Sequence, residues 1–177
     1  MTYARYPLIY GLCSGAVVAM VIVASLIFKD QLGFAHSLWF GYLAMLVALV
    51  FLFVGVKRYR DVEKGGVIKF LPALGLGLAI ALVAALAYAA VWETYLWLTG
   101  YGFMEAFIAE QQAELVAKGA TAAELAKAQA DFQWMRGVYS NFFTRFGITM
   151  AEILPVGLVM ALVSALALMF PKVFPAR

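Results

Sequence analysis

The sequence predicts an all-α, polytopic membrane protein with four transmembrane helices and an extracytoplasmic helical hairpin between the third and fourth spans. Hydrophobic residues make up 66% and charged residues 13% of the 177-residue chain, whereas a soluble domain is about half apolar and a quarter charged. The apolar residues are gathered in four long blocks that contain no Lys or Arg. Between the third and fourth blocks, residues 99–145 repeat apolar side chains at helical spacing.

The four apolar blocks have the length of membrane spans. They comprise residues 7–28, 38–56, 70–98 and 146–170. A helix rises 1.5 Å per residue, so about 20 apolar residues cross a hydrocarbon core of about 30 Å. The first block is expected to be an uncleaved span, because its apolar run is longer than that of a secretory signal. The chain, 1–177, is therefore interpreted as a single membrane domain.

The distribution of cations predicts that both termini lie in the cytoplasm. The segment between the second and third spans contains five cations, Lys57, Arg58, Arg60, Lys64 and Lys69. Short segments rich in Lys and Arg stay on the cytoplasmic side, and four spans return the chain to that side. Because these residues border spans, the net charge of +3 indicates membrane lipids rather than nucleic acid as the partner.

The same segment, "GVKRYRDVEKGGVIKF", is a candidate cytoplasmic site. Gly65–Gly66 permits a tight turn with positive φ, and Arg60 and Asp61 are placed to cap or lock that turn. Lys57 and Arg58 are placed where side chains reach toward lipid headgroups. Two interpretations remain. The segment either anchors the chain at the membrane surface and sets its topology, or it forms a site for an anionic ligand or lipid headgroup.

A helical hairpin is predicted over about residues 102–143. Lys118–Gly119 has the pattern of a helix stop, and "TAAE" at Thr121–Glu124 has the pattern of a capping box that opens a second helix. Apolar residues at helical spacing precede and follow this break: Phe103, Phe107, Ile108, Leu115 and Val116, then Leu125, Phe132, Met135, Tyr139 and Phe142. These two stripes favour a hairpin over the outer mouth of the bundle; the alternative is a stalk solvated on all faces.

Small residues at every fourth position predict close helix packing. They are Ala73, Gly77, Ala81, Ala85 and Ala89 in the third span, Gly11, Gly15 and Ala19 in the first, and Gly157, Ala161 and Ala165 in the fourth. Such stripes let helix backbones approach where no hydrophobic effect drives association. They predict a compact bundle, and they equally suit a homo-oligomer or a partner membrane protein.

Two glutamates within the apolar blocks define a candidate intramembrane site. Glu93 continues the small-residue stripe of the third span, and Glu152 lies near the start of the fourth. Both lie about 7–9 Å inside the outer ends of their spans. A carboxylate in hydrocarbon costs several kcal/mol, so Glu152 is expected to face protein. Pro155 lacks an N–H and frees a backbone carbonyl beside it.

Three arrangements compete to explain Glu152. Arg145, seven residues earlier, lies on nearly the same helix face and offers an ion pair. Glu93 offers a pair of acids that share a proton. Hydrogen bonds from the hairpin, for example from Trp134 or Tyr139, are the third arrangement.

The sequence contains no pattern typical of a catalytic, cofactor-binding or metal-binding site. The single histidine and single cysteine, His36 and Cys13, are too few for a His/Cys metal cluster. Serines within the spans lack an intramembrane histidine or lysine as base. No catalytic, cofactor or metal residue is therefore predicted.

The motifs "GVKRYRDVEKGGVIKF" and "EILPVGLVMALVSAL" resemble small bacterial membrane proteins grouped as domain-of-unknown-function family 4199. The likeness covers nearly the whole chain, including "WFGYLAML" and "GATAAELAK". The resemblance implies a four-helix bacterial inner-membrane protein and supplies no activity. The residues that match the family strings are Gly55, Lys57, Tyr59, Arg60, Asp61, Gly65, Gly66, Phe70, Glu152, Pro155 and Gly157.

Two functions fit this sequence. The first is a non-enzymatic accessory or structural membrane protein, which packing stripes without catalytic machinery favour. The alternative is a small transporter or lipid- or ion-binding protein that uses Glu93 and Glu152 with the hairpin as a gate. An enzyme acting on lipids ranks third.

Overall fold

The computed structural model of the protein describes residues 3–27, 38–170 and 174–175. These residues form helices and no strand, which confirms the all-α fold. The helices are α1 (Arg5–Ile27), α2 (Leu38–Ala48), α3 (Val50–Glu63), α4 (Phe70–Leu98), α5 (Phe103–Ala117), α6 (Ala122–Ser140) and α7 (Phe142–Leu168).

The chain divides into two compact units. The helix unit takes in the described parts of Met1–Val91 and Thr149–Arg177, and the hairpin unit is Trp92–Ile148. Both divisions fall inside continuous helices, α4 and α7. No Gly or Pro stands beside the first division, and Gly147 lies one position before Ile148 at the second, so the two divisions share no sequence signal.

Within the described residues, α4 and α7 are long and apolar enough to cross a membrane. The bounds of α4 coincide with the predicted third span, 70–98. α7 begins at Phe142 rather than 146, because the side chain of Asn141 accepts a hydrogen bond from the backbone N–H of Phe143 at 2.8 Å and so caps an earlier turn. α1 follows the predicted first span, whose last residue, Phe28, lies outside the described residues. That 7–28 and 38–56 cross a membrane stays a prediction.

The helix predicted for the second span, 38–56, is divided at Leu49 into two helices, and the second of them extends beyond residue 56. α2 ends at Ala48, and α3 begins at Val50. The N–H of Leu49 donates to the carbonyl of Met45 at 2.9 Å, so helical hydrogen bonding reaches the junction. α3 then continues to Glu63. Most of the predicted cytoplasmic segment is therefore helical, because no Gly or Pro stands between Gly55 and Gly65.

A glycine turn ends α3. Gly65 and Gly66 have φ of +62° and +89°, angles that glycine adopts without a Cβ penalty. The carbonyl of Arg60 accepts hydrogen bonds from the backbone N–H groups of Lys64 at 3.2 Å and Gly66 at 3.0 Å. The predicted tight turn is confirmed.

Small residues bring α1 and α7 close to α4 in the helix unit. A Cβ added to Gly77 would lie 2.9 Å from the Cβ of Ala161, and one added to Gly157 would lie 2.8 Å from the Cβ of Ala81. A Cβ added to Gly11 would lie 2.5 Å from a side chain of α4. The predicted close packing is confirmed between helices of one chain.

The predicted helical hairpin is confirmed in the hairpin unit. Met104, Ile108 and Phe132 form its buried core. Thr121 and Glu124 form the predicted capping box at the start of α6. At the end of α5, Gly119 has φ of +72°, and its N–H donates to the carbonyl of Val116 at 3.0 Å. This positive-φ glycine is the predicted helix stop.

Candidate functional site

The candidate site in the hairpin unit is built on an ion pair between α4 and α7. Arg145 Nε donates to Glu93 Oε1 at 2.6 Å, and Arg145 Nη2 donates to Glu93 Oε2 at 2.8 Å. The third guanidinium nitrogen, Nη1, donates to the backbone carbonyl of Tyr139. The two side chains are 6% and 12% exposed. A bidentate pair in this setting is a directional, charge-assisted interaction.

Tyr101 covers the Arg145 guanidinium. Its ring centroid lies 5.0 Å from the Arg145 Cζ atom, within the range of a cation–π interaction. Tyr101 has φ of +58° and follows Gly100, whose φ is +65°. The N–H groups of these two residues donate to α4 carbonyls, those of Leu96 at 2.8 Å and Trp97 at 3.2 Å. This end of α4, a Schellman arrangement, holds the ring in place at the cost of backbone strain.

A second bidentate ion pair joins α5 to α6. Arg136 Nε donates to Glu105 Oε1 at 2.8 Å, and Arg136 Nη2 donates to Glu105 Oε2 at 2.9 Å. The hydrogen bonds from Arg136 lower the pKa of the Glu105 carboxyl below its ordinary value. Both side chains are exposed, at 44% for Arg136 and 63% for Glu105. This pair is therefore accessible, unlike the pair of Glu93 and Arg145.

Arg145 of the first ion pair and both residues of the second line one cleft of about 570 Å³, which we call the hairpin cleft. Its lining residues are Tyr101, Met104, Glu105, Arg136, Tyr139, Ser140, Phe142 and Arg145. The volume lies within the range of small-molecule sites. Such a lining, with aromatic rings and two Arg side chains, suits a ligand that has both apolar and charged parts.

The expectation that Glu152 faces protein stays a prediction. Its side chain is exposed on α7, as is that of Pro155, and both belong to the helix unit. Glu93 and Arg145, two of the partners weighed for Glu152, are paired with each other. Sequence spacing placed Arg145 near Glu152 along one helix, whereas packing within the hairpin unit brings Arg145 against α4.

The predicted cytoplasmic site is a cluster around a buried arginine. The side chain of Arg60 is fully buried. Its Nε donates to Asp61 Oδ1 at 2.7 Å, and its Nη2 donates to the carbonyl of Phe174 at 2.7 Å. Its Nη1 donates to the carbonyl of Leu168, the last residue of α7, at 3.4 Å. Arg60 thus satisfies the carbonyl of Leu168, one of those that a helix C-terminus leaves without partners.

Lys57 completes this cluster from one turn earlier on α3. Its Nζ lies 2.6 Å from Asp61 Oδ2, so Asp61 accepts hydrogen bonds from two cations. Burial raises the pKa of the Asp61 carboxyl, but the hydrogen bonds from Arg60 and Lys57 outweigh burial and hold the pKa below its ordinary value. Arg58 is exposed. The cluster therefore locks the ends of α3 and α7, and its central cation is enclosed.

Sequence reasoning missed Glu105, Arg136 and Tyr101 among the residues of the hairpin cleft. Glu105 and Arg136 are 31 positions apart, and no local pattern links them. Tyr101 stands in "TGYG", where two flanking glycines signalled an unusual backbone but not a ring over Arg145.

The comparisons with known proteins identify a family and no function. The family model described as "Protein of unknown function (DUF4199)" matches residues 9–169. No curated protein and no solved structure matches the chain.

Proposed function

The chain belongs to the DUF4199 family of proteins of unknown function, and we propose that it is a multi-pass membrane protein with a non-enzymatic accessory or structural role. In this proposal four spans cross a bacterial inner membrane, with both termini and residues 57–69 in the cytoplasm. The hairpin unit is then extracytoplasmic, as the positive-inside rule requires.

The close packing of the helix unit is the observation that carries the accessory role. Added Cβ atoms at Gly11, Gly15, Gly77 and Gly157 would each lie within 3 Å of a neighbouring helix. Every buried side-chain nitrogen or oxygen among the described residues has a hydrogen-bond partner. Helices held this closely, with their polar atoms satisfied, favour a rigid scaffold over a structure that opens and closes around a substrate.

The outward faces of the same helices support the membrane placement. Large apolar side chains are exposed along α1, α2, α4 and α7, among them Leu8, Leu12, Met20, Leu43, Val47, Leu71, Leu82, Leu86, Val159 and Val163. Water-soluble proteins rarely expose contiguous apolar surface of this kind. Lipid chains would cover it without cost.

A small transporter or ion-binding protein that uses Glu93 and Glu152 is the second candidate. Both carboxylate oxygens of Glu93 already accept hydrogen bonds from Arg145, and this pairing bears on the second candidate. Glu93 would have to leave Arg145 before it could bind a cation. We therefore rank transport below the accessory role.

Thiol accessibility tests the proposed topology. In a Cys13→Ser background, Val62→Cys and Ala113→Cys each place one thiol at an exposed position outside the spans. In sealed right-side-out vesicles, an impermeant thiol reagent should label Ala113→Cys at once and Val62→Cys only after lysis. The reverse pattern, or equal labelling of both before lysis, would overturn the proposed layout.

A further inference from the structure

A ligand in the hairpin cleft can reach the exposed ion pair of Glu105 and Arg136, whereas the pair of Glu93 and Arg145 is buried. Arg145 is 5% exposed, and two of its nitrogens already donate to Glu93. Glu105 and Arg136 are both exposed and meet across α5 and α6. Exposed ion pairs contribute little to stability. A ligand that offers Arg136 an anion and Glu105 a cation can therefore replace this pair with two new ones.

The balance of charges selects the class of ligand. The cleft is lined by Glu105, Arg136 and Arg145, and Glu93 balances the charge of Arg145, so the charges at the cleft sum to zero. A ligand with only an anionic group would gain Arg136 but would leave the Glu105 carboxylate beside its own charge. A zwitterion satisfies both side chains. The planar fork of Arg136 is suited to two oxygens of one phosphate.

The aromatic lining favours an ammonium group as the cationic part. Tyr101 and Phe142 line the cleft and are each 48% exposed, and Tyr139 lines it as well. Aromatic ring faces attract ammonium groups. Tyr101 follows the end of α4, and Phe142 begins α7. Among the described residues, these two helices are long and apolar enough to cross a membrane. Residues at the ends of such helices lie at the level of lipid headgroups.

We propose that the hairpin cleft binds a phosphoethanolamine group, with its phosphate on Arg136 and its ammonium on Glu105. The same chemistry is found in a phosphatidylethanolamine headgroup and in free O-phosphoethanolamine. The lipid source rests on the membrane placement proposed above, whereas the binding chemistry does not.

Native mass spectrometry of the full chain in mild detergent tests the lipid source. The protein is equilibrated with equal amounts of phosphatidylethanolamine and phosphatidylglycerol, and the retained lipid is measured. Wild type should retain more phosphatidylethanolamine. Arg136→Gln should lower retention of both lipids, by about tenfold for one charge-assisted interaction. Glu105→Gln should abolish the preference and leave phosphatidylglycerol bound.

A matched control comes from the ion pair of Lys118 and Glu114. These side chains are 70% and 50% exposed, and neither lines the cleft. Lys118→Gln removes an exposed cation from the same hairpin and should leave both retention and preference unchanged. Equal lipid retention by wild type and Arg136→Gln, or an equal loss in Lys118→Gln, would contradict the lipid site.

Titration with free O-phosphoethanolamine separates the two sources. If it displaces the retained lipid and raises the thermal unfolding temperature of wild type but not of Arg136→Gln, the soluble group is sufficient for binding. If the lipid binds and the soluble group does not, the lipid is the ligand. If neither binds with dependence on Arg136, the proposal is wrong. Extraction of the chain from membranes by alkaline carbonate would refute the membrane placement separately, and the titration would still test the cleft.

Discussion

Arg145 and Glu93 form a bidentate ion pair, with nitrogen–oxygen distances of 2.6 and 2.8 Å, between side chains that are almost fully buried. Each of these residues was a candidate partner for Glu152 in the sequence, and the structure joins them to each other. Their separation of 52 positions makes the pair a tie between α4 and α7 inside the hairpin unit.

Removal of one partner of this pair is expected to be costly. Glu93→Gln leaves the Arg145 guanidinium buried without its counter-charge, which should lower the free energy of unfolding by about 3–5 kcal/mol. Glu114→Gln, which breaks the exposed pair with Lys118, is the control and should have little effect, because such pairs contribute little. Chemical unfolding in mild detergent measures both. Equal losses in the two variants would show that Glu93 does not stabilise the fold through Arg145.

The arginine buried at the end of α3 should not tolerate replacement by lysine. Arg60→Lys keeps the charge but loses the planar fork that reaches Asp61 and the carbonyls of Leu168 and Phe174. The expected loss is about 1.5–3 kcal/mol. Arg58→Lys alters an exposed arginine two positions away and should stay within about 0.5 kcal/mol of wild type. A similar unfolding midpoint for both variants would show that the hydrogen bonds of Arg60 do not stabilise the ends of α3 and α7.

Asp61 should make stability fall in acid. Hydrogen bonds from Arg60 and Lys57 outweigh burial and hold its folded pKa below the ordinary value. Because the pKa of Asp61 is lower in the folded state, its carboxylate stabilises the folded state at pH values above the unfolded pKa of about 3.9. This contribution is lost as the pH falls through the folded pKa. Asp61→Asn should therefore be less stable than wild type at neutral pH and should lose less stability below about pH 4. Unfolding curves at several pH values test this. A parallel decline in wild type and Asp61→Asn would contradict it, and Asp131→Asn, at an exposed carboxylate, is the control.

Replacement of two glycines in α4 by alanine should change the free energy of unfolding in opposite directions. A Cβ at Gly77 would lie 2.9 Å from the Cβ and 3.2 Å from the Cα of Ala161, so Gly77→Ala should separate α4 from α7 and destabilise by about 1–3 kcal/mol. Gly75 has open space where its Cβ would stand, so Gly75→Ala should stabilise by about 0.5–1 kcal/mol through helix propensity. Thermal unfolding in one detergent compares them. The same sign for both would show that the contact with Ala161 is not tight.

The sequence by itself determined the features that depend on residues close together along the chain. These are the bounds of α4, the capping box of Thr121 and Glu124, the helix stop at Gly119 and the small-residue faces of three helices. The bounds of α4 follow from an uninterrupted apolar block, and the other features follow from residues three or four positions apart or from the backbone freedom of glycine. The extension of α3 to Glu63 was missed because the membrane boundary was taken as a helix boundary, although the hydrogen bonds of a helix continue in water.

Only the tertiary structure decided which charges meet. In the sequence, Glu93 and Arg145 were each candidate partners for Glu152, and their pairing with each other depends on which faces of α4 and α7 pack in the hairpin unit. Glu105 and Arg136 meet because α5 and α6 are side by side, and Arg60 reaches carbonyls 108 and 114 positions away. Charges attract any opposite charge within reach, so spacing along the chain does not select the partner. Packing selects it, because the shapes of the helix faces bring particular side chains within hydrogen-bonding distance.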